Sequence, residues 1–150
     1  VLDMVEPWPR IAHRDANVDG AGDPHVKDNR FILTDYPAEQ AALARLSKDG
    51  KTAERFEMFA DGLELANGFC ELLDEAEQRK RFEYERWQRE QNNWPTFSID
   101  EDLLLSLSKI KGPVCGVAMG VDRLVMLKYG VGDINDLQLF PAKDRWSNKK

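Results

Sequence analysis

The segment "AERFEMFADGLELA", residues 53 to 66, restricts the folds open to this chain more than any other. Asp61-Gly62 separates two runs of strand formers, and both residues tolerate the positive φ that the central positions of a type I′ turn require. A two-residue loop at that point pairs Ala60 with Leu63, Phe59 with Glu64 and Glu57 with Ala66. Glu57 and Glu64 then stand as diagonal neighbours on one sheet face. Two carboxylates at that spacing repel and require a cationic side chain, solvent or a divalent ion between them. Magnesium suits the pair, because it takes one or two carboxylates and completes its shell with water and phosphate oxygens. The competing reading is two solvated positions on a half-exposed sheet, and spacing by itself favours it.

Beyond Glu64, strict alternation sends Asn67, Phe69 and Glu71 to the opposite face. All of them serve one pocket only if the strand shifts phase once. Asn67-Gly68 is the expected place for such a bulge, since both residues accept left-handed backbone. The alternative is a second hairpin at the same dipeptide, which leaves only residues 63 to 66 between two tight turns, short for a strand.

The rest of the chain supplies strands and helices without a regular β-α-β order. "FILTDY", 31 to 36, reads as a buried strand stopped by Pro37. Ala38, Ala41, Ala42 and Leu46 then fall at helical spacing for one or two turns. Asp74 with Glu77 forms a capping box for a charged helix anchored by Phe82 and Trp87, and Ser98 with Glu101 forms a second, for a helix with Leu103, Leu104 and Leu107 in one stripe. "VCGVAMG" reads as a central strand, followed by a helix over "VDRLVMLKY" that Gly130 closes, and "LQLFP", 137 to 141, as a last strand. The fold class this implies is α+β, a mainly antiparallel sheet with flanking helices. Residues 1 to 30, rich in Pro, Gly and Asp from 7 onward, read as an irregular connector at the edge of one domain covering 31 to 150.

Several function classes receive no support. With 150 residues, 42% hydrophobic, and a formal net charge of -6, the chain suits one ordinary domain without a broad cationic surface for nucleic acid. Its apolar runs are far too short to span a bilayer, so a cytoplasmic protein is expected, with no membrane partner. Cys70 and Cys115 lie in separate apolar stretches without CxxC spacing, which favours buried free thiols in a reducing compartment over a disulfide or metal site. His13 and His25 lie in the connector and read as solvated side chains. The start at Val1 suggests a piece of a longer protein.

A second chemical element is "GVAMGVDRLVML", 116 to 127. Small residues let a ligand approach the strand backbone, Gly120 relieves the turn, and Arg123 lands in the first turn of the next helix, where anions are favoured. A local Asp122–Arg123 ion pair is the more frequent outcome of such a sequence.

Taken jointly, "RFEMFADGLELANGFCEL", "EQRKRFE", "CGVAMGVDRLVMLKYG" and "LQLFP" resemble the C-terminal half of a class II lysyl-tRNA synthetase catalytic domain, over residues 31 to 141. Ala118, where the synthetases usually have glycine, and "YPAEQAALARLS" are most similar to the truncated relatives that attach β-lysine to elongation factor P. The resemblance implies a partial class II catalytic core using ATP and Mg²⁺. It implies that Glu57 and Glu64 bind ATP through the metal, that Arg123 binds the γ-phosphate as the catalytic residue, and that Asn67, Phe69, Glu71 and Ala118 form the lysine or β-lysine site. It further implies a homodimer as the full-length protein, with elongation factor P as acceptor and tRNA as the alternative; a non-catalytic paralogue acting as a binding module is a second alternative. The family's first two signature motifs are absent from these residues, so the chain by itself is expected not to form an aminoacyl adenylate.

Overall fold

Phe31 and Leu33 of "RFILT" lie opposite Phe59 and Glu57 of "RFEMFA" in the computed structural model, which describes residues 7–18 and 24–146. In chain order the elements are β1 (Arg10–Ala12), β2 (Asn17–Val18), β3 (Pro24–His25), β4 (Arg30–Thr34), β5 (Tyr36–Pro37), β6 (Thr52–Ala53), β7 (Arg55–Ala60) and β8 (Leu63–Cys70). They continue with α1 (Glu75–Gln91), α2 (Glu101–Leu107), β9 (Cys115–Met119), α3 (Val121–Tyr129) and α4 (Ala142–Trp146). The fold is α+β, as expected, with a sheet in the order β1-β4-β7-β8-β9 in which β4 runs antiparallel to β7. Two compact units divide the chain, the first from Val1–Asp35, Phe56–Gly68 and Val117–Lys150, the second from Tyr36–Arg55 and Phe69–Gly116.

In the first unit, the Phe31 and Phe59 rings stack with centroids 5.1 Å apart, and Leu33, Ala60, Leu65, Ala66 and Met126 of α3 complete the buried set. Part of the expected connector proves to be sheet. β1 pairs with β4 in parallel, with the Ile32 N–H donating to the Pro9 carbonyl, and β2 pairs with β3. Main-chain bonds hold these short pairings and need no apolar period, so the sequence carries no sign of them. Gly130 closes α3 at φ 66, as the sequence indicates. "LQLFP" is not a strand: a single 3-10 turn, Ile134–Asp136, precedes it, and Leu139 and Phe140 are exposed. Asp133 starts that turn by accepting the Asn135 N–H, which holds its carboxyl below the ordinary carboxylate value.

In the second unit, β5 pairs with β6 around buried Tyr36 and Ala53. The expected strand over 31 to 36 breaks at Asp35, whose φ of 55 ends β4 before Pro37 is reached. The expected helix over 38 to 46 shrinks to one 3-10 turn, Ala38–Gln40. Ala42, at φ 49, stops it, and Ala44 and Leu46 form bridges to Glu71 and Ala53 instead. A short alanine-rich segment gains more from these main-chain pairings than from an isolated helical turn.

The α1 cap is as expected, with the Glu77 N–H donating to Asp74 Oδ1 at 3.0 Å. Arg81 reaches from α1 to the carbonyls of Ala42 and Ala44 at 3.0 and 2.8 Å. Trp87 does not anchor the helix; it is exposed, and Gln78 is the buried residue of α1. The α2 cap is Asp100, which accepts the Leu103 N–H at 2.9 Å, in place of Ser98. Of the expected stripe, Leu104 and Leu107 are buried and Leu103 is exposed.

Arg79 of α1 grips Glu101 of α2 through two hydrogen bonds, 2.9 and 2.6 Å long. The Arg79 hydrogen bond holds the Glu101 carboxyl below its ordinary value of 4.5. A carboxyl lowered in the folded state stabilises the fold above its unfolded value, and that contribution is lost as pH falls through the lowered value. Thermal midpoints of the wild type and Glu101→Gln are therefore expected to differ at pH 7 and to converge in acid, once pH has fallen through the lowered value, in a differential scanning calorimetry series.

The two cysteines are not free. Cys70 and Cys115 form a disulfide, with Cα atoms 4.0 Å apart. The Glu71 N–H donates to the Val114 carbonyl at 2.8 Å, which makes the adjacent Cys70 and Cys115 a non-hydrogen-bonded antiparallel pair. Side chains approach most closely at such a pair, and residues 45 apart in sequence give no warning of it.

Candidate functional site

Asp61 at φ 49 and Gly62 at φ 78 form the expected type I′ turn between β7 and β8. That turn closes on Ala60 and Leu63, and an unbroken register from there sets Ala66 opposite Glu57 and Phe69 opposite Glu54. The observed partners are each one residue later. Asn67 Nδ2 donates to Glu57 Oε1 at 3.0 Å, which requires both side chains on one face, and the Cys70 N–H donates to the Glu54 carbonyl at 2.9 Å. β8 therefore accommodates one extra residue between Leu63 and Asn67, where the consecutive residues Leu65 and Ala66 are both buried.

The strand does shift phase, but earlier than the sequence suggests. Asn67 and Gly68 are both extended residues inside β8, so they make neither the bulge nor a second turn. The signal that was available is the adjacent Leu65-Ala66 pair: in an otherwise alternating strand, two buried neighbours mark a phase change, and alanine is small enough to permit it.

A carboxylate only accepts hydrogen bonds, so its partner on Asn67 must be the amide nitrogen. This fixes the orientation of the Asn67 side chain and leaves Oδ1 buried, without a hydrogen-bond partner among the described residues. A buried acceptor left unpaired costs about 1–3 kcal/mol, which a donor on a bound ligand recovers.

Arg123 leaves the first turn of α3 and meets β8. Its Nη1 donates to the Glu64 carbonyl at 2.6 Å and to Glu64 Oε2 at 3.2 Å, so Glu64 takes the place expected for Asp122. Both side chains are half-exposed, at 46% and 36%, which leaves the guanidinium accessible to an anion. Gly120 joins the same strand through its N–H, 2.9 Å from the Leu65 carbonyl. Its φ of -77 is ordinary, so the turn does not require glycine. An added Cβ would lie 3.3 Å from Cδ of Arg123, so this half-exposed side chain would have to give by a few tenths of an ångström. Gly120→Ala is expected to change stability by about 1 kcal/mol or less while moving the Arg123 guanidinium, read as a changed Nε–Hε NMR resonance beside an almost unchanged melting temperature.

Ala118 lies in β9 of the same unit and is exposed. Phe69 and Glu71 belong to the second unit, where Phe69 is half-buried and Glu71 bridges Ala44. The first unit thus brings Glu57 to Asn67 and Glu64 to Arg123. Among the described residues, no three His, Cys, Asp or Glu side chains gather as a metal site. A pair of carboxylates on one hairpin is nevertheless the donor set that Mg²⁺ uses when phosphates and water supply its other ligands, so the residues fit the ion. Among the described residues, no helix is long and apolar enough to cross a membrane.

Known proteins share this arrangement of sequence and fold. The family model of class II tRNA synthetases (D, K and N) matches residues 3–144. An elongation factor P–(R)-β-lysine ligase from Avibacterium paragallinarum is 51% identical over 120 residues, which are 79% of this chain and 37% of that protein. Ligases of the same name from Hamiltonella defensa and Yersinia enterocolitica are 43% and 45% identical over 81% and 80% of this chain, in each case 38% of the relative. The chain thus spans well under half the length of these curated relatives. Aspartyl tRNA synthetase from Entamoeba histolytica shares the fold, with a TM-score of 0.66 at 19% identity, over 91% of this chain and 32% of that one. With the family model covering nearly every residue, and with relatives this similar, the chain belongs to the class II tRNA synthetase family of the aspartate, lysine and asparagine type.

Proposed function

We propose that this chain is part of an AMP-forming ligase that activates lysine or β-lysine with ATP and transfers it to a lysine side chain of elongation factor P. The observation that carries the reading is the polar set on one hairpin, Glu57 with Asn67 and Glu64 with Arg123, in a chain 51% identical to a ligase of that name. In the first step the amino acid carboxylate attacks the α-phosphorus of ATP, the bond to the β-phosphate oxygen breaks, and pyrophosphate leaves. In the second the acceptor amine attacks the acyl carbon, and AMP leaves with the electron pair of the broken C–O bond.

Glu57 and Glu64 would hold Mg²⁺, which would supply charge neutralisation to the phosphates when bound. Arg123 presents its guanidinium to the γ-phosphate, a fixed charge in the place where negative charge must be held. In the first unit Asn67 Oδ1 accepts from a substrate ammonium; for the second unit the resemblance implies that Glu71 pairs with ammonium charge and that Phe69 lines the alkyl chain. The methyl of Ala118 biases selection among substrates by an amount on the order of 1 kcal/mol. Such a protein works in the cytoplasm, as a homodimer in its full length, and the 150-residue chain alone does not form the adenylate.

Charging of tRNA is the second reading, favoured by the family model, which describes tRNA synthetases. An acceptor assay separates the two. The complete catalytic domain is incubated with ATP, Mg²⁺ and radiolabelled lysine or β-lysine, and either elongation factor P or tRNA. Label on elongation factor P supports the proposal, label on tRNA supports the second reading, and label on neither, with no binding of ATP or lysine, points to a non-catalytic binding module.

A further inference from the structure

The Cys70–Cys115 disulfide links two strands that are neighbours in the sheet. Cys70 is the last residue of β8, between Phe69 and Glu71, and Cys115 is the first of β9. Main-chain bonds already hold the β8 side: the Cys70 N–H donates to the Glu54 carbonyl at 2.9 Å and its carbonyl accepts from the Arg45 N–H at 2.7 Å. β9 is hydrogen-bonded to β8 in the sheet, and just before it the Glu71 N–H donates to the Val114 carbonyl. All five residues of β9 are exposed, Cys115 among them, while Cys70 is only partly so. A disulfide between a partly exposed and an exposed cysteine is open to attack by small thiols, and its opening removes the covalent tie between β8 and β9.

We infer that Cys70 and Cys115 form a reversible thiol–disulfide site, taking low-molecular-weight thiols and disulfides of the glutathione class, which sets how firmly β9 is held against β8 beside Glu71. In the oxidising direction the Cys115 thiolate attacks a small disulfide RSSR, forming a Cys115–S–S–R bond and releasing one RS⁻. The Cys70 thiolate then attacks Cys115 Sγ, the intramolecular bond forms, and the second RS⁻ leaves. The two cysteines lose two electrons and two protons in total, and RSSR becomes two RSH. In the reducing direction the same steps run backwards, with Cys115 Sγ attacked first. The chemistry stands apart from the ligase reading; its consequence for lysine, through the strand that carries Phe69 and Glu71, rests on that reading.

The test uses the full 150-residue chain equilibrated with mixtures of reduced and oxidised glutathione, acid-quenched, alkylated and mapped by mass spectrometry. The expected result is interconversion between a dithiol and a single Cys70–Cys115 disulfide. Amide hydrogen exchange at Glu71 is expected to be about tenfold faster in the dithiol form, while the Gly120 amide, bonded to Leu65 elsewhere, is unchanged. Cys70→Ser, which keeps the more exposed residue Cys115, is expected to accumulate the glutathione adduct there faster than Cys115→Ser accumulates it at Cys70. Adducts on both cysteines without an internal disulfide would overturn the proposal. So would equal Glu71 exchange in the two forms, or a disulfide that glutathione does not open in the folded chain. Should a serine variant fail to fold, the wild-type comparison alone still decides.

Discussion

Arg123→Ala, made in the complete catalytic domain, is expected to lower lysine-dependent ATP–pyrophosphate exchange by about 10²–10³-fold, the usual consequence of removing one fixed transition-state donor. The fold should notice much less. Arg123 and Glu64 are both half-exposed, and ion pairs of that kind contribute about 1 kcal/mol or less, so melting temperature should fall by only a few degrees. Arg123→Lys is the informative companion: it keeps the charge but cannot reach the Glu64 carbonyl and a phosphate oxygen with one planar fork. An exchange rate close to the wild type in Arg123→Ala would remove the residue from the catalytic role proposed for it.

Leu65→Ala should produce the opposite pattern, a large loss of stability that reaches the site indirectly. The Leu65 side chain is 1% exposed, so truncation removes buried contacts and leaves a cavity, at a cost of about 2–5 kcal/mol in urea unfolding. Its carbonyl receives the Gly120 N–H at the entrance to α3, so repacking around residue 65 also disturbs the backbone from which Arg123 projects. A change below about 1 kcal/mol would mean that the buried pair Leu65-Ala66 is not where the strand is packed against the core.

Much of the fold was legible where a local rule has no competitor. Asp61-Gly62 could form only one kind of tight hairpin, Asp74 had Glu77 in the right place to be capped, and Gly130 ended α3 as a left-handed residue. Misreadings arose where tertiary partners decided. Asp100 outcompeted Ser98 for the same helix start because its carboxylate reaches the Leu103 N–H. Ala42 took a positive φ and the alanine-rich segment turned into bridges, because Glu71 and Ala53 offered main-chain partners across the unit. β1 is a strand only because β4 runs beside it.

The site divides the same way. The residue types that carry the chemistry were visible by spacing and resemblance, but their pairing was not. Sequence set Glu57 against Glu64 as two like charges in need of compensation. The structure compensates each from a different element, Asn67 one strand away and Arg123 a helix away. The bulge ahead of Asn67 is what allows the first of these, and alternation counted residue by residue missed it by one step.

The central claim is that this bulge turns Asn67 toward Glu57 and leaves its side-chain oxygen ready for a substrate ammonium. The direct measurement is an NMR titration of the ¹⁵N-labelled chain with lysine, following the two Hδ2 protons of Asn67, with glutamate as the control ligand. Lysine is expected to shift both protons progressively to saturation and glutamate to leave them unmoved, and one of them is expected to show a contact with the Glu57 side chain before any ligand is added. An Asn67 amide without that contact, unmoved by saturating lysine, would contradict it.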